Sequence, residues 1–224
     1  MANINLSPRL ALVKSFIRMG DRVADIGTDH AQLPVYLVKS GMCRSVTASD
    51  IGSGPLESGR RTAAEAGVAD KIKFVQAAGL SGIVPGEADT FVIAGMGGET
   101  IAGIIDECPW AMSGKNRFIL QPQSKLRELL SFCGSTGLEI QDAGLVRDAG
   151  RLYVAFLCVS GREGGSLEQL FKALRKKGDP LIEEYREYLA GKLRKRLMGL
   201  CASSNGNEVE AEEIRREIEK IKSL

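Results

Sequence analysis

The sequence predicts an α/β fold: a mostly parallel sheet of about seven strands, helices on both faces, an antiparallel hairpin at its C-terminal end, then a small helical hairpin. Three observations predict it. Short β patterns alternate with helical patterns from Val23 to Cys133, an order that calls for right-handed crossovers between parallel strands. The strand segments are continuously apolar, as strands covered on both faces must be. After Gly137 the rhythm changes: Glu139 to Arg147 and Arg151 to Ser160 are separated only by Asp148-Ala149-Gly150. A connection that short joins antiparallel strands.

The elements follow in order. Ser7 suits a helix N-cap and Pro8 the first helical position, ahead of a helix that Gly20 stops. Val23 to Gly27 is a strand, Leu33 to Lys39 a helix, and Ser45 to Asp50 a second strand. Leu56 to Ala66 is a helix ending at Gly67, and Ile72 to Gln76 a third strand. Thr90 to Ala94 is the fourth strand, followed by a helix from Glu99 to Glu107. Arg117 to Gln121 is the fifth, followed by a helix from Lys125 to Cys133. Arg162 to Ser166 reads as a linker, and the remainder is polar and helical. Leu181, Tyr185, Tyr188, Leu189, Leu193, Leu197 and Leu200 recur at helical steps. Ser203 to Asn207 reads as a turn, and Val209, Ile214, Ile218 and Ile221 form one stripe of a last helix. The expected division is a domain over 1–160 and a helical hairpin, coiled-coil-like, over 161–224.

With 224 residues the chain has room for one α/β domain and an appendage, and 44% hydrophobic with 26% charged residues is the balance of a soluble domain. No apolar run reaches transmembrane length, and Met1 to Asn5 lacks the features of a signal peptide. The five cysteines are scattered and there is one histidine, His30, so neither a disulfide framework nor a zinc site is expected. Reduced thiols fit a cytoplasmic protein. Net charge is only +2, but Ser166 to Cys201 carries nine Lys/Arg against five Asp/Glu, whereas residues 1–160 balance.

Asp25-Ile26-Gly27-Thr28-Asp29-His30 sits where the first strand meets the first crossover helix, the edge at which open α/β sheets bind ligands. Gly27 lets backbone approach a ligand. Asp50, followed by Ile51, ends the second strand 23 residues beyond Gly27, placed to accept hydrogen bonds from ribose hydroxyls. The dinucleotide fingerprint is incomplete, and Asp29 would repel a pyrophosphate. A cofactor with an ammonium and a sulfonium welcomes carboxylates, so S-adenosylmethionine is favoured over a nicotinamide dinucleotide. Asp29 alternatively caps the helix that follows. His30 is either a general base or a structural hydrogen-bonder. Ala94-Gly95-Met96-Gly97-Gly98 follows the fourth strand, where three glycines mean close approach to a ligand or a tight turn into a helix.

Asp25 to Pro34 resembles the D-I-G-[ST]-D-H-A-x-L-P signature of the bacterial tRNA (adenine-22-N1)-methyltransferase family. Leu6 to Leu10, Gly54-Pro55, Ile93 to Gly98, Ile119 to Pro122 and Gly150 to Tyr153 match in order. The likeness is close over about residues 5–160 and looser in the tail. It implies a Rossmann-like methyltransferase sheet, S-adenosyl-L-methionine as cofactor, and methyl transfer to N1 of an adenine in the D-arm region of tRNA. It places cofactor binding on Asp25, Gly27, Asp29, His30, Asp50 and Ile51, then on Ala78, Gly79, Ala94 and Gly95. Asp29 is the candidate catalytic residue, as an anion near the adenine. Arg9, Met96, Gly97, Gln121 and Pro122 are the candidate substrate residues near the cleft. Lys192, Arg194, Lys195 and Arg196 are candidates for tRNA phosphates, or else a solvated basic face. The expected partner is tRNA, with no membrane and no metal.

Two positions depart from the family. Ala78 stands where an acidic or amide residue often contacts the cofactor's adenine, and Asp50 where Glu is usual. Two other functions fit the residues. One is a small-molecule or protein methyltransferase with the helical hairpin as lid or dimerisation element. The other is a non-catalytic RNA-binding module whose cofactor site has decayed, which Ala78 favours.

Overall fold

A computed structural model of the chain describes residues 5–202 and 208–224. The turn expected at Ser203 to Asn207 lies outside the described residues. Strands β1 (Arg22–Ile26), β2 (Ser45–Asp50), β3 (Ile72–Gln76), β4 (Thr90–Gly97), β5 (Arg117–Ser124), β6 (Leu138–Asp148) and β7 (Arg151–Ser160) form one sheet in the order β3-β2-β1-β4-β5-β7-β6. The first five are parallel, and β7 runs antiparallel to both β5 and β6. The expected seven-stranded sheet is therefore present. Its β6–β7 turn puts Ala149 (φ 46°) and Gly150 (φ 76°) in the left-handed region, as a two-residue hairpin requires.

Helices α1 (Pro8–Ser15), α2 (Gln32–Lys39) and α3 (Ser53–Glu65) cover one face; α4 (Gly98–Asp106), α5 (Leu126–Thr136) and α6 (Leu167–Lys177) cover the other. Strand residues divide between the faces by parity. Phe91, Ile93, Phe118 and Leu120 join the core under α4 and α5, whereas Val92 and Ile119 join the core under α1 and α2. Ser7 caps α1, its Oγ accepting from Leu10 N at 3.3 Å.

β4 does not stop at Ala94 as expected. It continues to Gly97, its ladder with β5 interrupted by register shifts around Met96. Gly95, at φ 82°, absorbs the irregularity, and Pro122 opposite has no N–H to contribute to a regular ladder. Glycine-rich sequence read as loop is here a bulged strand.

Beyond residue 160, α6 packs on β6, and its Leu170, Phe171 and Leu174 are fully buried in the core of the sheet domain. Then α7 (Ile182–Ala202) and α8 (Glu208–Ser223) form an antiparallel pair. Ala211, Ile214, Ile218 and Ile221 are buried on α8, whereas Val209, expected on that stripe, is 69% exposed. The pair is tied to the sheet domain by Arg147–Glu184 at 2.5 Å, Arg127–Glu217 at 2.8 Å and Lys220–Glu168. Because β6 runs parallel to β5, α7 departs near Arg147, at the carboxyl edge of the sheet. Among the described residues no helix is long and apolar enough to cross a membrane.

Candidate functional site

The strand order reverses between β1 and β4, so the crossovers diverge to opposite faces and leave a crevice at the carboxyl edge. A cavity of about 430 Å³ lies there, within the roughly 300–1,000 Å³ of small-molecule sites. Ile26 and Gly27 line it from β1, Asp50 and Ile51 from β2, and Ala77, Ala78 and Gly79 from the loop after β3. Met96 comes from the β4 bulge, Thr100, Gly103 and Ile104 from α4, and Glu107 from the C-cap of that helix.

Gly27 has φ 73°, and its N–H and that of Thr28 both donate to Ser49 O, at 2.8 and 2.9 Å. The turn after β1 is thus pinned to the end of β2. A Cβ at Gly27 would overlap Met96 Cε, which lies over the glycine. Asp50 Oδ1 accepts from Gly52 N at 2.8 Å, and its carbonyl accepts from Ala77 N at 3.0 Å. Ile51 is 72% exposed although apolar, a free surface on which a flat ring can pack. The carbonyl of Ala78 is occupied by Ser81 N–H and Oγ–H. Gly79 has φ 53° and lies against Ile104.

Asp25 is buried next to this wall. Burial, and after it the Asp50 carboxylate, pushes its carboxyl up to about 6. An acid raised in this way contributes stability that is fully present below its ordinary value of 3.8 and lost as pH rises through about 6. At neutral pH the folded protein holds a buried carboxylate at a cost on the order of 3 kcal/mol. A cation beside it would recover that energy. Asp50, glycine turns and an exposed apolar side chain on one crevice, with Asp25 buried beside it, suit a cofactor that is cationic at one end and carries a ribose and a flat base at the other.

Of the expected cofactor residues, Asp25, Asp29, His30, Ala94 and Gly95 stand outside those lining this cavity. Asp29 does not cap α2. The N-cap position is Ala31, at φ 51°, and it carries no side-chain hydrogen bond. Instead Asp29 Oδ1 lies 3.2 Å from His30 Nε2, with side chains 78% and 55% exposed. Both His30 and Ala31 adopt positive φ, unusual for residues with a Cβ and a mark of a shaped site.

Gln121 is fully buried. Its Oε1 accepts from Arg9 Nη1 at 2.8 Å and from Gly95 N at 3.1 Å, and its Nε2 donates to Pro122 O at 3.0 Å. Arg9, a candidate substrate residue, is therefore engaged with Gln121, and its backbone N–H donates to Asp148 Oδ2 at 3.3 Å. These bonds join α1, the β4 bulge and the β6–β7 turn at the same edge. Gly97 lies against Ser124, across the ladder. Ala94 packs against the core under α1 and α2.

The basic run on α7 is exposed but partly neutralised. Arg194 pairs with Glu187 at 3.2 Å and Arg196 with Glu210 at 2.6 Å, while Lys192 Nζ sits 5.1 Å from the Tyr188 ring centre. Lys195 is exposed.

The α4 wall escaped the sequence reading. Thr100, Ile104 and Glu107 lie at helical steps beside the buried stripe of Ile101 and Ile105. That spacing is the available signal, but it does not say which stripe meets the crevice.

Sheet order, switch-point crevice and single antiparallel hairpin together define a Rossmann-like methyltransferase, and the methyltransferase domain family matches residues 6–156. A Bacillus subtilis tRNA (adenine(22)-N(1))-methyltransferase is 34% identical over 161 residues, 72% of this chain and 68% of its own. The crystal structure of the B. subtilis m1A22 tRNA methyltransferase TrmK superimposes with a TM-score of 0.86 at 28% identity, covering 99% of each chain. A Streptococcus pneumoniae protein, Sp1610, solved in complex with S-adenosyl-L-methionine, gives a TM-score of 0.82 at 28% identity over 98% of this chain and 99% of that one. The chain belongs to the tRNA (adenine-22-N1)-methyltransferase family.

Proposed function

We propose that this protein transfers the methyl group of S-adenosyl-L-methionine to N1 of the adenine at position 22 of tRNA, in the cytoplasm. The observation that carries this reading is the crevice flanked by Asp25 and Asp50 in a chain of this family. The cofactor supplies an electrophilic methyl on a sulfonium. Asp50 takes the ribose hydroxyls through the oxygen that Gly52 leaves free. Asp25 faces the cationic end, with Gly27, Ala94 and Gly95 giving backbone access. Ile51, Ala78 and Gly79 hold the adenine by packing and backbone groups, since Ala78 has no polar side chain. Asp50→Ala is expected to weaken cofactor binding by about 1–3 kcal/mol. Titration calorimetry checks this, and unchanged affinity removes Asp50 from the site.

Neutral adenine N1 already carries a lone pair, so the protein's work is alignment, worth up to roughly 7–11 kcal/mol. N1 lies on the Watson–Crick edge, so the base must be unpaired or flipped out. Met96 lines the crevice, the bulge that carries it and Gly97 is shaped by the buried Pro122 opposite, and the Arg9–Gln121 pair braces that bulge through Gly95. Asp29, at the rim, stabilises the cation that forms as N1 is alkylated, by accepting from the 6-amino group. His30 orients Asp29 and flanks the cofactor pocket.

The domain of residues 1–160 carries the chemistry and the part from 161 to 224 holds the RNA, with α6 serving the sheet and α7–α8 projecting from the catalytic edge. Lys192, Arg194, Lys195 and Arg196 position tRNA through phosphates. Replacing all four by Ala should weaken tRNA binding about tenfold and reduce the log–log salt slope by about 2. Four phosphate contacts at roughly 0.7–0.9 each would give more, but Arg194 and Arg196 exchange existing partners. A slope equal to wild type across a salt series would show that tRNA is held elsewhere.

The decisive assay for the function is methylation of unmodified tRNA with labelled cofactor, followed by mapping of the modified base. Label at N1 of adenine 22 is the expected result. Label elsewhere, or on small molecules or protein only, overturns it.

A further inference from the structure

The bend from Asp29 to Ala31 is held from a second element. Gly59 of α3 lies against Ala31: a Cβ there would be 3.0 Å from Ala31 Cβ and 3.1 Å from the Phe74 ring. One residue earlier, Ser58 Oγ is 2.6 Å from His30 Nδ1. On its other side the same hydroxyl accepts from Arg61 Nη2 at 3.4 Å. His30 Nε2 is 3.2 Å from Asp29 Oδ1.

These contacts have one consistent polarity. Guanidinium nitrogens only donate, so Ser58 Oγ accepts from Arg61 and its own hydrogen is free for His30 Nδ1. With Nδ1 accepting, Nε2 carries the ring proton, and that nitrogen lies 3.2 Å from Asp29 Oδ1. The links from Arg61 to Ser58 and from Ser58 to His30 thus select one tautomer of the imidazole and turn its protonated nitrogen toward the carboxylate of Asp29. Close packing of the bend is met by Gly59 alone, so the hydroxyl of Ser58 has no packing duty that Ala could not perform.

We infer that Ser58 is a positioning residue for methyl transfer, acting through His30 to fix the carboxylate of Asp29 where the 6-amino group of the target adenine arrives. This rests on the role given to Asp29 above. A carboxylate already aimed is worth more to a developing cation than one that must reorient as charge appears.

The test uses the full-length protein with unmodified tRNA. Ser58→Ala should lower kcat about tenfold, the upper end of the scale for losing one hydrogen bond, while KM for tRNA and cofactor affinity by calorimetry stay within twofold. Ser58→Thr keeps the hydroxyl and should recover kcat to within threefold of wild type. Asp29→Asn combined with Ser58→Ala should be no slower than Asp29→Asn alone, because residues acting through one group do not add. Three results overturn the inference: kcat of Ser58→Ala within twofold of wild type, a Thr variant as slow as the Ala variant, or a double variant slow by the product of both effects. Full activity in Asp29→Asn would instead remove the reading of Asp29, and with it the reason for the chain, whatever Ser58→Ala does. Melting temperatures of the single variants separate these outcomes from loss of fold.

Discussion

Replacing Asp29 by Asn is expected to lower turnover on unmodified tRNA by about a hundredfold, with tRNA affinity within about threefold of wild type. The size follows from what one pre-aimed charge contributes to a transition state, typically 10²–10³ in kcat. Attack by N1 turns a neutral base into a cation, and part of that charge reaches the 6-amino hydrogens. An anion at hydrogen-bond distance from them gains strength only as the charge develops, so the loss appears in kcat and not in binding. The geometry of the bend favours this reading. Asp29 is free of the helix-capping duty that its position before α2 would suggest, since the N-cap is Ala31. It also lies within 3.2 Å of His30 Nε2, whose ring Ser58 orients. Steady-state kinetics with calorimetry on the same preparation check the outcome. Turnover within a few-fold of wild type would leave Asp29 as a solvent-facing partner of His30 and nothing more.

The frame of the protein is legible because its local and global signals agree. Ser45–Asp50 and Arg151–Ser160 are bounded by turn formers and buried through their centres, so period and punctuation locate them without tertiary knowledge. The cofactor wall at Gly27, Asp50, Ile51, Ala78 and Gly79 is legible for a related reason. Ligands of open α/β sheets bind at carboxyl ends of strands, and each of these residues closely follows or ends one.

What escapes the sequence is long-range pairing. Gly95 reads as loop because glycine breaks a strand pattern, yet it forms the bulge of a ladder that resumes with β5. Gln121 reads as a pocket residue at a strand end. Whether it faces substrate or is consumed by Arg9 and Gly95 depends on partners more than twenty residues away in sequence. Ser58 carries no signal on its own, a serine in a polar turn of helix, until α3 is laid beside the bend at His30. Arg196 reads as free positive charge because its partner Glu210 is contributed by the returning helix, and Arg194 because its partner Glu187 lies seven residues away, outside the usual three- and four-residue pairing steps. Val209 carries apolar periodicity but sits at the start of α8, one position outside the stripe that meets α7.

Gly98→Ala is expected to be the most destabilising single substitution in the site, by about 3 kcal/mol, the upper part of the range for overpacked sites. Gly98 is the first residue of α4 and is buried. A Cβ there would overlap the carbonyl oxygen of Lys125 and lie 2.8 Å from its carbon and 3.0 Å from Leu129 Cβ. The first two obstacles are backbone, so no rotamer change relieves them. Lys125 is itself at φ 56° ahead of α5, which leaves that peptide little room to yield. Relief requires α4 to move away from α5, and α4 carries Thr100, Gly103, Ile104 and Glu107, a whole wall of the cofactor crevice. Cofactor affinity should therefore fall with stability. For a chain of this length about 3 kcal/mol corresponds to a drop in melting temperature of roughly 6–12 °C. Gly103→Ala is the control, since a Cβ there meets nothing within 4 Å on the same helix. Its stability should be unchanged or raised by about 0.5–1 kcal/mol from the better helix propensity of Ala. A melting temperature for Gly98→Ala within 2 °C of wild type, with cofactor affinity retained, would mean that α4 can slide freely on α5 and that the glycine serves the approach of a ligand instead.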